Sequence, residues 1–280
     1  MQNRFGRLLC LLLLCCLAAT TSVACADDGF DGLAVEVLNV GQSDCTLITV
    51  DGLVLMIDSG TVTERHTVQA ALAARNIERI DYLLLTHPHE DHIGNARMLL
   101  ETYTVGALIV PPIETDDLGY RLVREAAAQC AVTVQTVVAG DAFSLGRAEA
   151  RVLYAGDNAE DPNNASIVLR VTFGETRFLF TGDNEKESEL ALLETLSAEE
   201  LDCDLLKAGH HGSGNATSAE LLAAVTPQYV AISCGAYNTY GFPHGDMLKR
   251  LEQVGAVWHR TDTAGDLRYV SDGQSVIYEE

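Results

Sequence analysis

Thr86-His87-Pro88-His89-Glu90-Asp91-His92-Ile93-Gly94 places three imidazoles and a carboxylate within six residues. Imidazole is the commonest metal ligand among side chains, and Asp adds a hard anionic oxygen. The preceding stretch, Ile80-Asp81-Tyr82-Leu83-Leu84-Leu85, is a short apolar run that reads as a buried strand. Gly94-Asn95 and then Ala96-Arg97-Met98-Leu99-Leu100 read as the start of a helix. The cluster therefore lies on a strand-to-helix turn, where side chains can converge on ions without straining either element. His87, His89, Asp91 and His92 are candidate ligands, and Asp91 is also a candidate catalytic group.

Two further strand ends carry similar chemistry. Phe178-Leu179-Phe180 runs into Thr181-Gly182-Asp183, and Leu205-Leu206-Lys207-Ala208 runs into Gly209-His210-His211-Gly212-Ser213. Asp183 can point into the same cleft as the first cluster, or cap a helix beginning near Asn184. No His occurs between His92 and His210. Asn163-Asn164-Ala165-Ser166 stands in that interval, so Asn164 or Ser166 either faces the cleft or serves the turn after Pro162. Asp44 and Asp58, each at a strand end, either hold turns or support the metal loop.

Around these points the chain alternates strands and helices. Leu33 to Val40 reads as a strand, and a hairpin crosses Asp51-Gly52. Helices are expected at 64–75, 118–129, 184–196, 218–225 and 245–254. Strands are expected at 105–110, in short pieces to Tyr154, at 166–173, 176–180, 203–208 and 228–233, near Val257, and at 267–270. Two blocks of strands, each with helices, predict a layered α/β domain.

His-x-His-x-Asp-His at the end of an apolar strand resembles the signature of the metallo-β-lactamase superfamily. Gly-His-His-Gly-Ser is similar to the terminal ligand motif of its ComEC-type, competence-protein branch. Asn39-Val40-Gly41-Gln42-Ser43-Asp44, Ile57-Asp58-Ser59-Gly60, Tyr240-Gly241-Phe242-Pro243-His244 and Arg260-Thr261-Asp262 are similar to motifs of the same branch. Ser43 stands where that branch has Gly, and Phe242 where it has His. The resemblance spans about Leu33 to Gly273. It implies a four-layer αββα sandwich with a metal cleft at one edge of two sheets. It also implies two divalent cations, Zn or Mn, bridged by Asp183 and further held by His87, His89, Asp91, His92 and one of His210 and His211, with His210 favoured. The other His and Ser213 are assigned to supporting a ligand or holding substrate. Most superfamily members supply a third mid-chain His; the ComEC-type branch shares its absence.

The bulk numbers bound the setting. The 280 residues suit a leader and one large domain, 27–280. Met1 to Ala26 carries Arg4 and Arg7, an apolar run from Leu8 to Ala19, and Ala24-Cys25-Ala26, which fits a signal peptidase site. Ser22-Val23-Ala24-Cys25 also offers lipid attachment at Cys25. Export to the cell exterior, or to the outer face of the membrane through that lipid, is expected either way. Net charge is −22, and the leader holds only basic charge, so the remainder is more acidic still. Such a field disfavours a stable, extended nucleic-acid complex. It leaves room for a polyanion at a metal-lined cleft, where bound cations dominate the local charge. Four of the eight Cys lie in the leader; Cys45, Cys130, Cys203 and Cys234 remain, without paired spacing.

The expected activity is hydrolysis by metal-activated water on a phosphodiester, single-stranded DNA or a wall polymer, as in a nuclease or phosphodiesterase. His244 is the candidate proton donor to the leaving oxygen, or a neighbour of the helix cap near Gly245. The alternatives are an esterase of the cell-wall phosphocholine type, which shares similar motifs, and a secreted binding protein with a degenerate site.

Overall fold

The computed structural model describes residues 30–280; the leader expected to Ala26, with Cys25, lies outside the described residues. Strands β1 (Leu33–Val37), β2 (Thr46–Val50) and β3 (Leu53–Ile57) run antiparallel. Asp51 and Gly52 join the last two with φ of 53° and 76°, the geometry that short hairpins favour. Helix α1 (Arg65–Ala74) leads to β4 (Arg79–Leu84). Two short helices, α2 (Glu90–Ile93) and α3 (Ala96–Thr102), lead to β5 (Thr104–Val110). Helix α4 (Leu118–Gln129), capped by the Asp117 carboxylate on the Tyr120 N–H, leads to β6 (Thr133–Thr136).

A second block follows with β7 (Ala142–Leu145), β8 (Ala148–Tyr154), β9 (Val168–Phe173) and β10 (Thr176–Phe180), all antiparallel neighbours. Helices α5 (Lys186–Thr195) and α6 (Ala198–Leu201) lead to β11 (Leu205–Lys207). Helix α7 (Ala219–Val225), β12 (Tyr229–Ile232), α8 (Gly245–Val254) and β13 (Val257–Arg260) come next. The short α9 (Thr261–Ala264) and the hairpin of β14 (Leu267–Ser271) and β15 (Val276–Glu279) end the chain.

The strands build two sheets, ordered β15-β14-β1-β2-β3-β4-β5-β6 and β13-β12-β11-β10-β9-β8-β7. Alternation along β2 and β3 explains the layering. Ile48, Val50, Leu55 and Ile57 face the second sheet and pack with Leu169, Phe178 and Phe180. Leu47, Val54 and Met56 face the other way, onto Val68 and Leu72 of α1 and Tyr120 and Val123 of α4. On the second sheet, Leu179, Leu206 and Val230 face Leu192, Leu222 and Leu251 of the outer helices. Each such fully buried side chain contributes roughly 1.5–3 kcal/mol. The result is the expected αββα sandwich.

Direction of the strands places the site. β3, β4, β5 and β6 are parallel, as are β10, β11, β12 and β13. Loops after the carboxyl ends of such strands form crevices that hold ligands. Asp58 follows β3, the His87 cluster follows β4, Asp183 follows β10 and His210-His211 follows β11. Backbone bonds tie these loops together: Asp44 N–H donates to the Asp91 carbonyl (3.1 Å), Ile167 to Thr86 (3.0 Å) and His210 to Gly182 (3.1 Å).

Candidate metal centre

Asp91, His92, Asp183 and His211 bring one ligand atom each within 4.8 Å of one another. His92 Nε2 lies 3.3 Å from Asp183 Oδ1, and His211 Nε2 lies 3.2 Å from Asp91 Oδ2 and 3.8 Å from Asp183 Oδ2. His92, Asp183 and His211 are buried, while the Asp91 side chain is 35% exposed. His87 Nε2 lies 3.9 Å from Asp183 Oδ2 and 2.9 Å from His89 Nδ1. At 2.9 Å, one of two ring nitrogens must carry a proton, or both must face a cation.

Each inward nitrogen is aimed by a bond on the opposite side of its ring, the usual way a ligating His is oriented. Asp58 Oδ2 lies 2.8 Å from His92 Nδ1, while both Asp58 oxygens accept from Thr86. Asp44 Oδ1 and the Ser233 carbonyl each lie 3.2 Å from His211 Nδ1. Lys207 Nζ holds Asp44 from behind at 2.8 Å. Ser166 Oγ accepts the Asp183 N–H (3.1 Å) and sits 3.2 Å from His87 Nδ1. Asp44, Asp58 and Ser166 thus stand behind the ring and carboxylate atoms that line the centre.

The electrostatics follow from burial and crowding. For His92, burial opposes charge, but the carboxylates of Asp183, Asp58 and Asp91 outweigh it and raise its pKa well above the usual value. His211 is likewise penalised by burial and pushed up to about 10 by Asp183, Asp44 and Asp91. His87, buried and beside His92, is driven well below the usual value. Burial works against the Asp91 carboxylate too, yet His92 and His211 bring it down to about 2. Asp183 is held well below the carboxylate range by the same two rings against the cost of burial. Net burial of so much paired charge is the pattern of a functional site.

The residues fit divalent cations. His92 Nε2 and Asp183 Oδ1 are buried without a hydrogen-bond partner. Such orphaned atoms are costly unless something binds them. The donor set of imidazoles and carboxylates suits hard or borderline cations.

Backbone geometry adds a further sign. His210 and His211 occupy consecutive left-handed conformations, with φ of 44° and 53°. That strain is uncommon outside glycine and clusters at functional sites. It turns the two rings apart. His211 enters the four-residue group. His210, favoured on sequence, reaches only Asp183 Oδ2 at 3.7 Å with Nε2 and bonds Glu185 Oε1 at 2.9 Å with Nδ1.

Three sequence candidates are drawn to other work. Asn164 points at α5: its Oδ1 accepts from the Glu185 N–H (3.0 Å) and the Ser188 hydroxyl (2.8 Å). It thereby does the capping that was the alternative for Asp183. Ser213 Oγ accepts from the Asn215 N–H within its own loop. His244 Nδ1 accepts from the Gly214 N–H at 2.9 Å, and its Nε2–H donates to the Tyr240 carbonyl at 3.1 Å. With both nitrogens engaged, His244 ties its own loop to the one at Gly214 and presents no free ring nitrogen. Thr86, Ser233, Glu185 and Lys207 were not singled out from sequence. Only Lys207 carried a signal there, as a lone charge in the apolar run Leu205-Leu206-Lys207-Ala208.

Comparison with known proteins agrees with this geometry. The metallo-beta-lactamase superfamily pattern matches residues 38–236. The chain is 30% identical over 256 residues to ComE operon protein 3 of Bacillus subtilis, covering 84% of this chain and 32% of that protein. It is 29% identical to Recombination protein 2 of Haemophilus influenzae, covering 84% and 28%. It is 30% identical to Competence protein ComA of Neisseria gonorrhoeae, covering 84% and 32%. The chain therefore spans about a third of the length of these relatives. Among solved structures, the metallo-beta-lactamase fold protein YhfI of Bacillus subtilis superposes with a TM-score of 0.59 at 12% identity, covering 85% of this chain and all of that one. With that pattern matching well over half of the chain and the sandwich fold shared, the chain belongs to the metallo-β-lactamase superfamily.

Proposed function

We propose that the protein is an exported, metal-dependent phosphodiesterase whose preferred substrate is single-stranded DNA. The observation that carries the metal-dependent part is the convergence of Asp91, His92, Asp183 and His211, with His92 Nε2 and Asp183 Oδ1 buried 3.3 Å apart and without a hydrogen bond. Similarity to relatives named for competence and recombination supports DNA as the substrate.

His87, His89, Asp91, His92, Asp183 and His211 would hold two divalent cations, with Asp183 at the middle of the group and His210 beside it. When bound, such cations supply Lewis acidity that lowers the pKa of water and stabilises charge on a phosphoryl oxygen. Asp58 and Asp44 hold the imidazoles with Nε2 inward. Holding a cation would require His92 and His211 to be without a proton on Nε2. Asp91, the most exposed of the four, would be the group to orient an incoming water. Hydrolysis then joins the water oxygen to phosphorus, breaks the ester phosphorus–oxygen bond and moves a proton to the departing oxygen.

Assay with Zn²⁺ and with Mn²⁺ tests the reading, using single-stranded DNA beside a small phosphodiester and Asp91→Ala as control. Cleavage of DNA that disappears in Asp91→Ala supports it. Turnover of the small ester alone moves the substrate to wall or nutrient phosphodiesters. Silence on both overturns the phosphodiesterase reading and leaves a non-phosphate substrate or a binding role. Fractionation of the producing cells tests export: the protein is expected in the medium or, if Cys25 carries lipid, in the membrane fraction.

A further inference from the structure

The loop from Gly235 to His244, between β12 and α8, is pinned from within. Asn238 Nδ2 donates to the Gly235 carbonyl (2.9 Å) and the Phe242 carbonyl (2.7 Å), and its Oδ1 accepts from the Phe242 N–H (2.9 Å). His244 ties the loop to Gly214, as described above. On this rigid frame sit aromatic rings in water. Tyr240 is 65% exposed. Its ring lies over Phe242 at 5.4 Å between centroids with planes 14° apart. Phe242 in turn is 28° from parallel with His211 at 6.4 Å, and meets the edge of His210 at 5.4 Å. A staircase of near-parallel rings thus descends from solvent to a buried imidazole of the metal centre, His211.

Exposed, parallel, preorganised rings are the surface on which nucleobases stack, independent of base identity. The charge distribution makes that contact more than incidental. Proteins that hold a phosphate backbone electrostatically present free Lys and Arg along a groove. Here three basic groups are already engaged: Lys207 with Asp44, Arg260 with Asp262, and Arg250 with the carbonyls of Thr217, Gly214 and Ala216. In a chain of net charge −22, where the cleft's cations would be the main attraction for phosphate, stacking on the bases adds affinity that the surface charge does not supply.

We propose that Tyr240 and Phe242 form a stacking subsite for a nucleobase of single-stranded nucleic acid, positioning the neighbouring phosphate over the metal centre. The proposal rests on the phosphodiesterase reading and narrows it, since a wall phosphodiester offers no base to stack. Tyr240 is the outer step, and Phe242 transmits its position to the site.

The test compares an oligothymidylate with an abasic oligonucleotide of the same length, on the full chain loaded with Mn²⁺. Binding is read by fluorescence anisotropy and cleavage by gel, for the native protein, Tyr240→Ala and Tyr240→Trp. The native protein is expected to favour the base-bearing strand by about tenfold or more in affinity and in KM. Tyr240→Ala removes that preference through KM while leaving the abasic strand unaffected, and Tyr240→Trp restores it. Between 50 and 200 mM salt the affinity should fall by less than about tenfold, against the roughly 10³-fold or more of a protein with many phosphate contacts. Equal handling of the two strands by the native protein, or an equal loss on both in Tyr240→Ala, overturns the subsite and leaves the phosphodiesterase standing. Selective binding of the base-bearing strand without cleavage keeps the subsite and overturns the hydrolytic reading. Absence of binding to either strand overturns the subsite.

Discussion

Replacing Asp58 by Asn would keep the shape of its turn, with φ of 59° and two bonds from Thr86, and withdraw the negative charge behind His92. His92 would then lose the partner that fixes its tautomer. Metal affinity in Asp58→Asn is expected to fall about 10- to 100-fold, read by calorimetric titration of Mn²⁺. Lys207 presents the converse case. It and Asp44 are almost fully buried, at 4% and 6% side-chain exposure. Lys207→Met leaves the Asp44 carboxylate buried with only His211 to answer it. Removing one partner of such a pair costs about 3–5 kcal/mol, to be measured by urea unfolding of the metal-free protein. At this scale the sequence was informative about type and silent about direction. His210 and His211 are neighbours of the same chemistry, and only the left-handed backbone decides which ring turns inward. Asn164 and Ser166 sit two apart, and only the approach of α5 decides that the first caps a helix while the second touches His87.

Elements of the centre meet closely at Gly182, between β10 and Asp183. A Cβ there would lie 2.8 Å from Ser166 Cβ and 3.0 Å from Thr86 Cβ, and its φ is 54°. Both neighbours belong to loops of the centre, so neither can retreat without moving His87 or Asp183. Gly182→Ala is expected to lose more than about 1 kcal/mol of stability and to weaken metal binding as well, the two being read on the same samples. Elements were legible where local signals and burial agreed. Helices α4 and α8 match their expected spans end to end, because a capping residue or glycine and a clean apolar stripe mark both. β15 was missed: Val276-Ile277-Tyr278-Glu279 has one fully buried side chain and gains its order from pairing with β14. Helix α5 starts two residues later than expected because Asn184 turns its side chain to the Thr181 and Ser166 carbonyls.

Across the whole molecule, the end of the sandwich formed by β13, β14 and β15 holds a second, smaller polar arrangement. His259 stacks on Tyr278 at 3.6 Å, and its Nδ1 lies 3.0 Å from the Tyr269 hydroxyl. Burial lowers the His259 pKa from its usual value and raises that of Tyr269, so the phenol keeps its proton and donates it to an unprotonated ring. A depressed histidine contributes stability that is present above its unfolded value of about 6.5 and lost as pH falls through its lower folded value. His259→Phe is therefore expected to flatten the melting-temperature curve below pH 6.5 relative to the native protein, the two running parallel above it with an offset for the lost Tyr269 bond. Among the described residues, no helix is long and apolar enough to cross a membrane. Cys45, Cys203 and Cys234 are buried free thiols, while Cys130 is exposed. The layered architecture was readable from two strand blocks; the register that brings β4, β10 and β11 to one edge was not, because it depends on pairings between distant segments.

That shared edge has a consequence in time. The ligands come from loops of both sheets, held by backbone bonds such as Ile167 to Thr86 that exist only once the sandwich has closed. No half-folded chain can offer the complete centre. Cations should therefore leave the refolding rate almost unchanged and slow unfolding instead, as expected for contacts absent from the transition state. The metal would act as a lock fitted after the door is shut, and stopped-flow traces with and without Mn²⁺ would show the change on the unfolding limb alone.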